Sequence, residues 1–204
     1  MTKSAHKDSS EMAARYRLLQ VAAELFALKG YAMTSVREIV AAASVTKPVL
    51  YYYFKNKEGI YLELMRDSMS KFDAFLEESK TECGGVIDRI FSLCDRLMLL
   101  LMDNIQVARI IYAFYYGPPQ GAPQFDMDVF HNRLRDSLRA LIEEGIRDGV
   151  FRRENATDMS WAVLGAVDIA IGTELSHPDI RLGRDGLQRV LTITLDGLKE
   201  RDTK

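Results

Sequence analysis

Apolar residues along this chain recur with a period near 3.6 rather than 2, which predicts amphipathic helices and gives no segment a strand pattern. Leu18, Ala22, Leu25 and Phe26 line one face of a first helix, which Lys29-Gly30 closes. Val36, Ile39, Val40 and Ala43 mark a second, short helix, with Ser35 and Glu38 spaced as a capping box at its start. Thr46 is placed to cap a third, which carries Pro48 in its first turn, where a missing N–H costs little. Asn56 is placed to cap a fourth, expected to run to about Ser79. Further helices are expected over 85–102, 105–116, 124–147, 156–175 and 184–200. The breaks fall at Gly84-Gly85, at the Gly/Pro-rich stretch 117–123, at Asp148-Gly149 and at Ser176-His177-Pro178. The fold class predicted is all-α, with about nine helices and no internal repeat.

Composition narrows the function classes. A chain of 204 residues, 48 % apolar and 27 % charged, has material for a core and is neither disordered nor fibrous. Two cysteines, Cys83 and Cys94, cannot form a disulfide scaffold or a four-cysteine zinc site. No apolar run reaches the ~18–20 residues that cross a bilayer. The polar start, Met1 to Ser10, has no apolar signal core, so a cytoplasmic location without a membrane partner is expected. The net charge of −2 conceals an asymmetry: residues 1–60 hold nine Lys/Arg against five Asp/Glu, and the rest hold 18 against 24. A basic end on an acidic body suits contact with a polyanion, although a solvated surface can carry the same excess.

The chemistry concentrates in residues 33–58. Two short helices joined by Ala43-Ser44-Val45, after a longer amphipathic helix, have the shape of a helix-turn-helix. In the third helix Leu50 and Phe54 face inward, with Tyr53 and Thr46 alongside. Pro48, Tyr51, Tyr52 and Lys55 fall at i, i+3, i+4 and i+7 on the other side, next to Lys47. Lysine supplies charge for phosphate or a donor for guanine, and a tyrosine hydroxyl hydrogen-bonds phosphate while its ring packs on a thymine methyl or a sugar. The plainer reading is a Tyr-rich turn packed on a neighbouring helix.

The stretch from Gly30 to Val40, then Val45 to Glu58, with Ala22-Ala23-Glu24-Leu25-Phe26 upstream, closely resembles the TetR family of bacterial transcriptional repressors. The resemblance spans roughly residues 12–62. It implies a three-helix DNA-binding head over 1–55 and a helical ligand-binding and dimerisation body over 56–204. By resemblance, Thr34, Ser35, Tyr51 and Lys57 look like phosphate contacts, and Arg37, Thr46, Lys47, Pro48 and Tyr52 look like contacts to base edges or nearby backbone. The usual turn glycine is Ser44 here, and a left-handed conformation at serine costs ~1 kcal/mol relative to glycine. Val49 cannot hydrogen-bond, so any readout there is apolar.

In the body, Ala162, Gly165, Ile169 and Gly172 form one small-residue stripe, and Leu187, Val190, Leu191, Thr194, Leu195 and Leu198 form another. Two such helices from each of two subunits build a four-helix homodimer interface, or else both close the monomer's own core. Leu97, Leu101, Ile111, Tyr112, Tyr115, Tyr116, Phe130 and Trp161 are candidates to line an apolar effector cavity, or plain core. Asp168 either anchors a cationic ligand, pairs with an Arg, or sits at a wet edge, and Arg109 either meets an anionic ligand or is paired or solvated. His131 is expected at a rim.

The three histidines have no Glu or Cys at ligand spacing, and no zinc, phosphate-loop or nucleophile-elbow motif occurs, so no metal or cofactor is expected. Cys94 reads as core. The sequence predicts a ligand-responsive homodimer on double-stranded operator DNA, most simply a repressor released by a small, mainly apolar molecule. An activator or corepressor-dependent regulator of the same fold is the alternative, with a small all-α enzyme or a DNA-free adaptor more distant.

Overall fold

A computed structural model describes residues 2–117 and 121–200, without the side chains of 2–11 and 178; residues 118–120 of the expected Gly/Pro break lie outside it. Among the described residues are nine α-helices: α1 Thr2–Lys29, α2 Val36–Ala42, α3 Lys47–Phe54, α4 Lys57–Ser79, α5 Val86–Asp103, α6 Ile105–Tyr116, α7 Asp128–Arg147, α8 Ala156–Ser176 and α9 Gly183–Leu198. A short 3-10 turn at Pro178–Ile180 precedes α9, and the described residues hold no strand. The polar start of the chain is the beginning of α1.

These helices make two compact units. One comprises the described residues up to Met69 together with Ile105–Phe125, and the other comprises Ser70–Asn104 together with the residues from Asp126 onward. The division between the compact units falls within α4.

In the first unit α1 packs against α2, α3 and α6. Leu18, Ala22 and Phe26 of α1, Ile39 and Val40 of α2, and Leu50 and Phe54 of α3 form its core. Asn56 caps α4 by accepting from the Gly59 N–H at 2.7 Å, and Arg15 of α1 pairs with Glu63 of α4. The Arg15 guanidinium also lies over the Phe54 ring, 5.6 Å from its centroid.

In the second unit α8 is the central helix, packed on α5, α7 and α9. Val163, Leu164, Val167, Ala170 and Ile171 are buried from α8, and Leu187, Leu191, Leu195 and Leu198 from α9. Asn155 starts α8 by accepting from the N–H groups of Thr157 and Asp158. Cys94 is buried as expected, and burial pushes its thiol up to about 12, so it stays protonated and inert.

Two boundaries differ from expectation. α7 starts at Asp128 rather than 124, where an acidic residue in the first turn meets the positive end of the helix dipole. α9 stops at Leu198 because the chain there pairs with Phe151 and its neighbours. The Leu198 carbonyl accepts from the Arg152 N–H at 3.0 Å, and the Glu200 N–H donates to the Val150 carbonyl at 3.2 Å. Phe151, fully buried beside this bridge, packs on Gly145 of α7. A Cβ at position 145 would lie 2.6 Å from Phe151 Cε2 and 3.1 Å from Val86 Cγ1. Gly145→Ala is therefore expected to destabilise the protein by about 1–3 kcal/mol, read from urea unfolding, and a neutral result would contradict this packing.

Candidate DNA interface

The α2–α3 unit is built by local hydrogen bonding before any partner is considered. Ser35 caps α2 with a complete capping box: the Glu38 N–H donates to Ser35 Oγ, and the Ser35 N–H donates to Glu38 Oε2 at 2.8 Å. Lys29 at the end of α1 pairs with the same carboxylate. The Lys29 ammonium, with the Ser35 hydroxyl and N–H, holds the Glu38 carboxyl down at about 2, from an ordinary 4.5.

At the other end of α2 the Val45 N–H donates to the Val40 carbonyl at 3.0 Å and the Ser44 N–H to that of Ala41 at 3.2 Å. This is a Schellman ending, which requires a left-handed residue at Ser44, and Ser44 has φ 53°. Of the two possibilities at this turn, a left-handed serine or a different turn, the structure has the left-handed serine. Thr46 then takes an extended conformation at the N-cap position, where its side chain makes no capping hydrogen bond, unlike the cap expected, and α3 begins with Pro48 in its first turn.

With Leu50 and Phe54 buried, the rest of α3 is turned outward. Thr46, Lys47, Pro48, Tyr51, Tyr52 and Lys55 are exposed, Tyr52 at 74 %, and Arg37 and Ser35 of the α2 start are exposed too. Thr46 does not accompany Leu50 inward, because it precedes the helix and its extended backbone aims it at solvent. Tyr53 is half-buried and its ring stands edge-on to Tyr52, with centroids 4.9 Å apart. The outcome is one surface carrying two lysines, one arginine and two phenol hydroxyls around the tip of a helix.

Two expected phosphate contacts are engaged within the protein. Thr34 is 1 % exposed, and its hydroxyl donates to the Gly30 carbonyl at 2.9 Å. The Lys57 ammonium donates to the carbonyls of Tyr31 and Thr34, both at 2.9 Å. Burial lowers its pKa and raises those of the Tyr31 and Tyr61 phenols beside it. Sequence reasoning passed over Tyr31 and Tyr61, although Lys57 and Tyr61 stand at i, i+4 on one face of α4.

Residues 18–64 match the profile of the bacterial regulatory proteins, tetR family. Over 160 residues the chain is 33 % identical to the fatty acid metabolism regulator protein of Bacillus subtilis (strain 168), covering 77 % of this chain and 81 % of that one. The chain belongs to the TetR family. It is also 26 % identical over 196 residues to the HTH-type transcriptional repressor KstR2 of Rhodococcus jostii (strain RHA1), covering 93 % of each. The fold superposes on the MbdR regulator from Azoarcus sp. CIB with a TM-score of 0.76 at 21 % identity, over 92 % of this chain and all of that one. KstR2 is named a transcriptional repressor and the other two are named regulators, none an enzyme; this chain is a TetR-family transcriptional regulator.

The other expected sites in this regulator are placed as follows. On α8, Trp161, Ala162, Gly165 and Ile169 are exposed and Gly172 is half-buried. On α9, Leu187, Leu191 and Leu198 point into the core of their own unit, and Thr194 is half-buried with its hydroxyl on the Val190 carbonyl. The leucine stripe of α9 is therefore buried within the monomer, and the large apolar side chain that α9 exposes is Ile193, at 75 %.

Among the candidates for an effector cavity, Leu97 and Ile111 are buried. Leu101, Tyr112, Tyr115 and Phe130 are half-buried, and Tyr116 is exposed. His131 stacks beside Trp161 at 5.4 Å, and the Arg135 guanidinium lies 5.7 Å from the same indole. Asp168 is half-buried within α8, and Arg109 is half-buried with Gln106 at 3.5 Å. Among the described residues no cluster of His, Cys, Asp and Glu is arranged to hold a metal, and no single helix is long and apolar enough to cross a membrane.

Two predictions follow from the turn and the cap. Ser44→Gly relieves the left-handed strain and is expected to raise stability by about 0.5–1 kcal/mol in urea unfolding with an unchanged m-value, whereas a lower midpoint would contradict the strained turn. The Glu38 carboxyl, depressed in the folded state, contributes stability above about pH 4.5 that is lost as pH falls toward 2. Glu38→Gln should flatten that part of the acid-unfolding curve, and an identical curve for the variant would refute the assignment.

Proposed function

We propose that this chain is a homodimeric, ligand-responsive repressor whose α3 reads the major groove of operator DNA. The observation that carries this is the division of α3. Leu50 and Phe54 are buried while Lys47, Pro48, Tyr51, Tyr52 and Lys55 face solvent together. A helix held rigidly by one side and offering cations and phenols on the other suits a groove edged by phosphates. On this reading Ser35, Tyr51 and Lys55 meet phosphates, and Arg37, Thr46, Lys47, Pro48 and Tyr52 meet base edges or the adjoining backbone. The head is residues 1–55, and residues 56–204 form the body that pairs and responds.

For pairing, α8 offers an exposed stripe of Trp161, Ala162, Gly165 and Ile169, with Ile193 exposed on the neighbouring α9. Nothing lies within 4 Å of where a Cβ on Gly165 or Gly197 would stand, so both backbones are open to a close partner. Ile169 at 63 % exposure and Ile193 are large apolar side chains that a second copy would cover.

Repression is supported by the relatives, two of which are named a repressor and a regulator of fatty acid metabolism, and release by a ligand is our reading of its control. The effector we propose is a small, mainly apolar molecule bound in the body, with Leu97, Leu101 and Phe130 of the second unit among its contacts. It lowers operator affinity only by binding the released state more tightly than the DNA-bound one.

The test is fluorescence anisotropy on DNA from upstream of the gene, with wild type and Lys47→Glu. Wild type is expected to bind saturably and Lys47→Glu to lose at least tenfold in affinity; equal binding by both would refute the α3 assignment. Ile169→Glu with Ile193→Glu is expected to convert the dimer to a monomer in sedimentation, and an unchanged mass would refute the α8–α9 face.

A further inference from the structure

α7 ends on a left-handed glycine, and the chain then folds back against the end of α9. The Val150 N–H donates to the Gly145 carbonyl at 2.8 Å and the Gly149 N–H to that of Ile146 at 3.3 Å, a Schellman ending with Gly149 at φ 71°. Beyond it the pairing of Phe151 with Lys199 ties the α7–α8 turn to the chain that leaves α9. Arg152 and Glu200 are the next residues along on either side of that pairing.

This reversal brings three arginines to one cavity. Arg147 from the last turn of α7, with Arg152 and Arg153 from the turn after it, line a hollow of about 510 Å³ together with Ile146, Phe151 and Glu200. The volume is that of a small-molecule site. Phe151 is fully buried, so the core fixes this part of the lining.

The charges in the lining do not balance. Three guanidinium groups meet one carboxylate, and among the described residues none of the three arginines has an ion pair. Other arginines of the same unit are paired: Arg96 with Glu78 and Glu82, both at 2.6 Å, and Arg184 with Asp95 at 2.5 Å. Arg152 is half-buried, and its Nε–H is buried with no acceptor. Arg89 has the same unmatched Nε, but Glu144 at 2.5 Å compensates its charge. A partly buried guanidinium with neither a counter-ion nor full hydrogen bonding is costly, and points to a partner from outside the folded chain. Because Nε itself is covered, that partner lies against the terminal nitrogens.

We propose that this cavity binds a small organic polyanion through Arg147, Arg152 and Arg153. Guanidinium forks match the paired oxygens of phosphate and carboxylate. The ligand is therefore a phosphate ester or a polycarboxylate with at least two negative charges, and Glu200 can accept from a hydroxyl on it. The site shares no residue with α3 and does not depend on operator binding.

The experiment is isothermal titration calorimetry of the full chain with pyrophosphate and with citrate at fixed ionic strength. It compares wild type, Arg152→Gln, Arg153→Gln and Arg139→Gln. Arg139 is an exposed arginine of α7 that does not line the cavity, so its variant controls for charge alone. Wild type is expected to bind one equivalent per chain with a Kd below ~1 mM. Arg152→Gln and Arg153→Gln are each expected to weaken binding at least tenfold, and Arg139→Gln to bind like wild type. Binding of pyrophosphate alone supports a phosphate-bearing ligand, of citrate alone a polycarboxylate, and of both the shared polyanion chemistry.

No saturable heat from wild type with either probe would overturn the proposal, as would a wild-type affinity in Arg152→Gln or Arg153→Gln. An equal loss in Arg139→Gln would reduce the effect to net charge and overturn it too. If Arg152→Gln does not fold, Arg153→Gln against Arg139→Gln decides. Anisotropy on duplex DNA across a salt series tests the other occupant: a log–log slope reduced by ~0.9 in Arg153→Gln would give these arginines to DNA phosphate and overturn the site.

Discussion

The burial of Leu50 and Phe54 is the constraint on which the exposed surface of α3 depends. Both side chains sit four residues apart on α3 and go into the core made by α1 and α2. At 3.6 residues per turn, fixing that pair leaves Pro48, Tyr51, Tyr52 and Lys55 no direction except outward. Burying a Leu and a Phe from an eight-residue helix contributes on the order of 1.5–3 kcal/mol each, more than so short a helix gains from its own propensity. The recognition surface is thus held by the core beneath it.

The devices at the two ends of α2 serve the same end. A capping box at Ser35 and Glu38 and a Schellman ending at Ser44 fix where the seven-residue helix starts and stops. Because the turn is short, any change of register in α2 would rotate α3 and expose Leu50. A left-handed serine is a tolerable cost where the alternative is loss of that register.

Much of this was legible in the sequence, because it rests on local chemistry. The capping box, the cap at Asn56 and the side of α3 that Leu50 and Phe54 bury all follow from residues a few positions apart. The misses required knowledge of distant partners. The end of α9 is set by a pairing with Phe151, some fifty positions away, which no local pattern announces. The leucine stripe of α9, which the sequence offers first as an interface and otherwise as core, is buried in the monomer where α9 packs on α5 and α8. The carbonyls that accept from the Lys57 ammonium lie on a turn more than twenty residues earlier, beyond any local pattern. The helix α4 runs unbroken through the division between the compact units.

The claim most exposed to refutation is that two copies of α3 enter successive major grooves on one face of a duplex. Hydroxyl-radical footprinting of the protein on DNA from upstream of its gene tests this directly. The account predicts two protected patches on one face, their centres about one helical turn, ~34–36 Å, apart. Uniform cleavage, or a single patch at saturating protein, would contradict it.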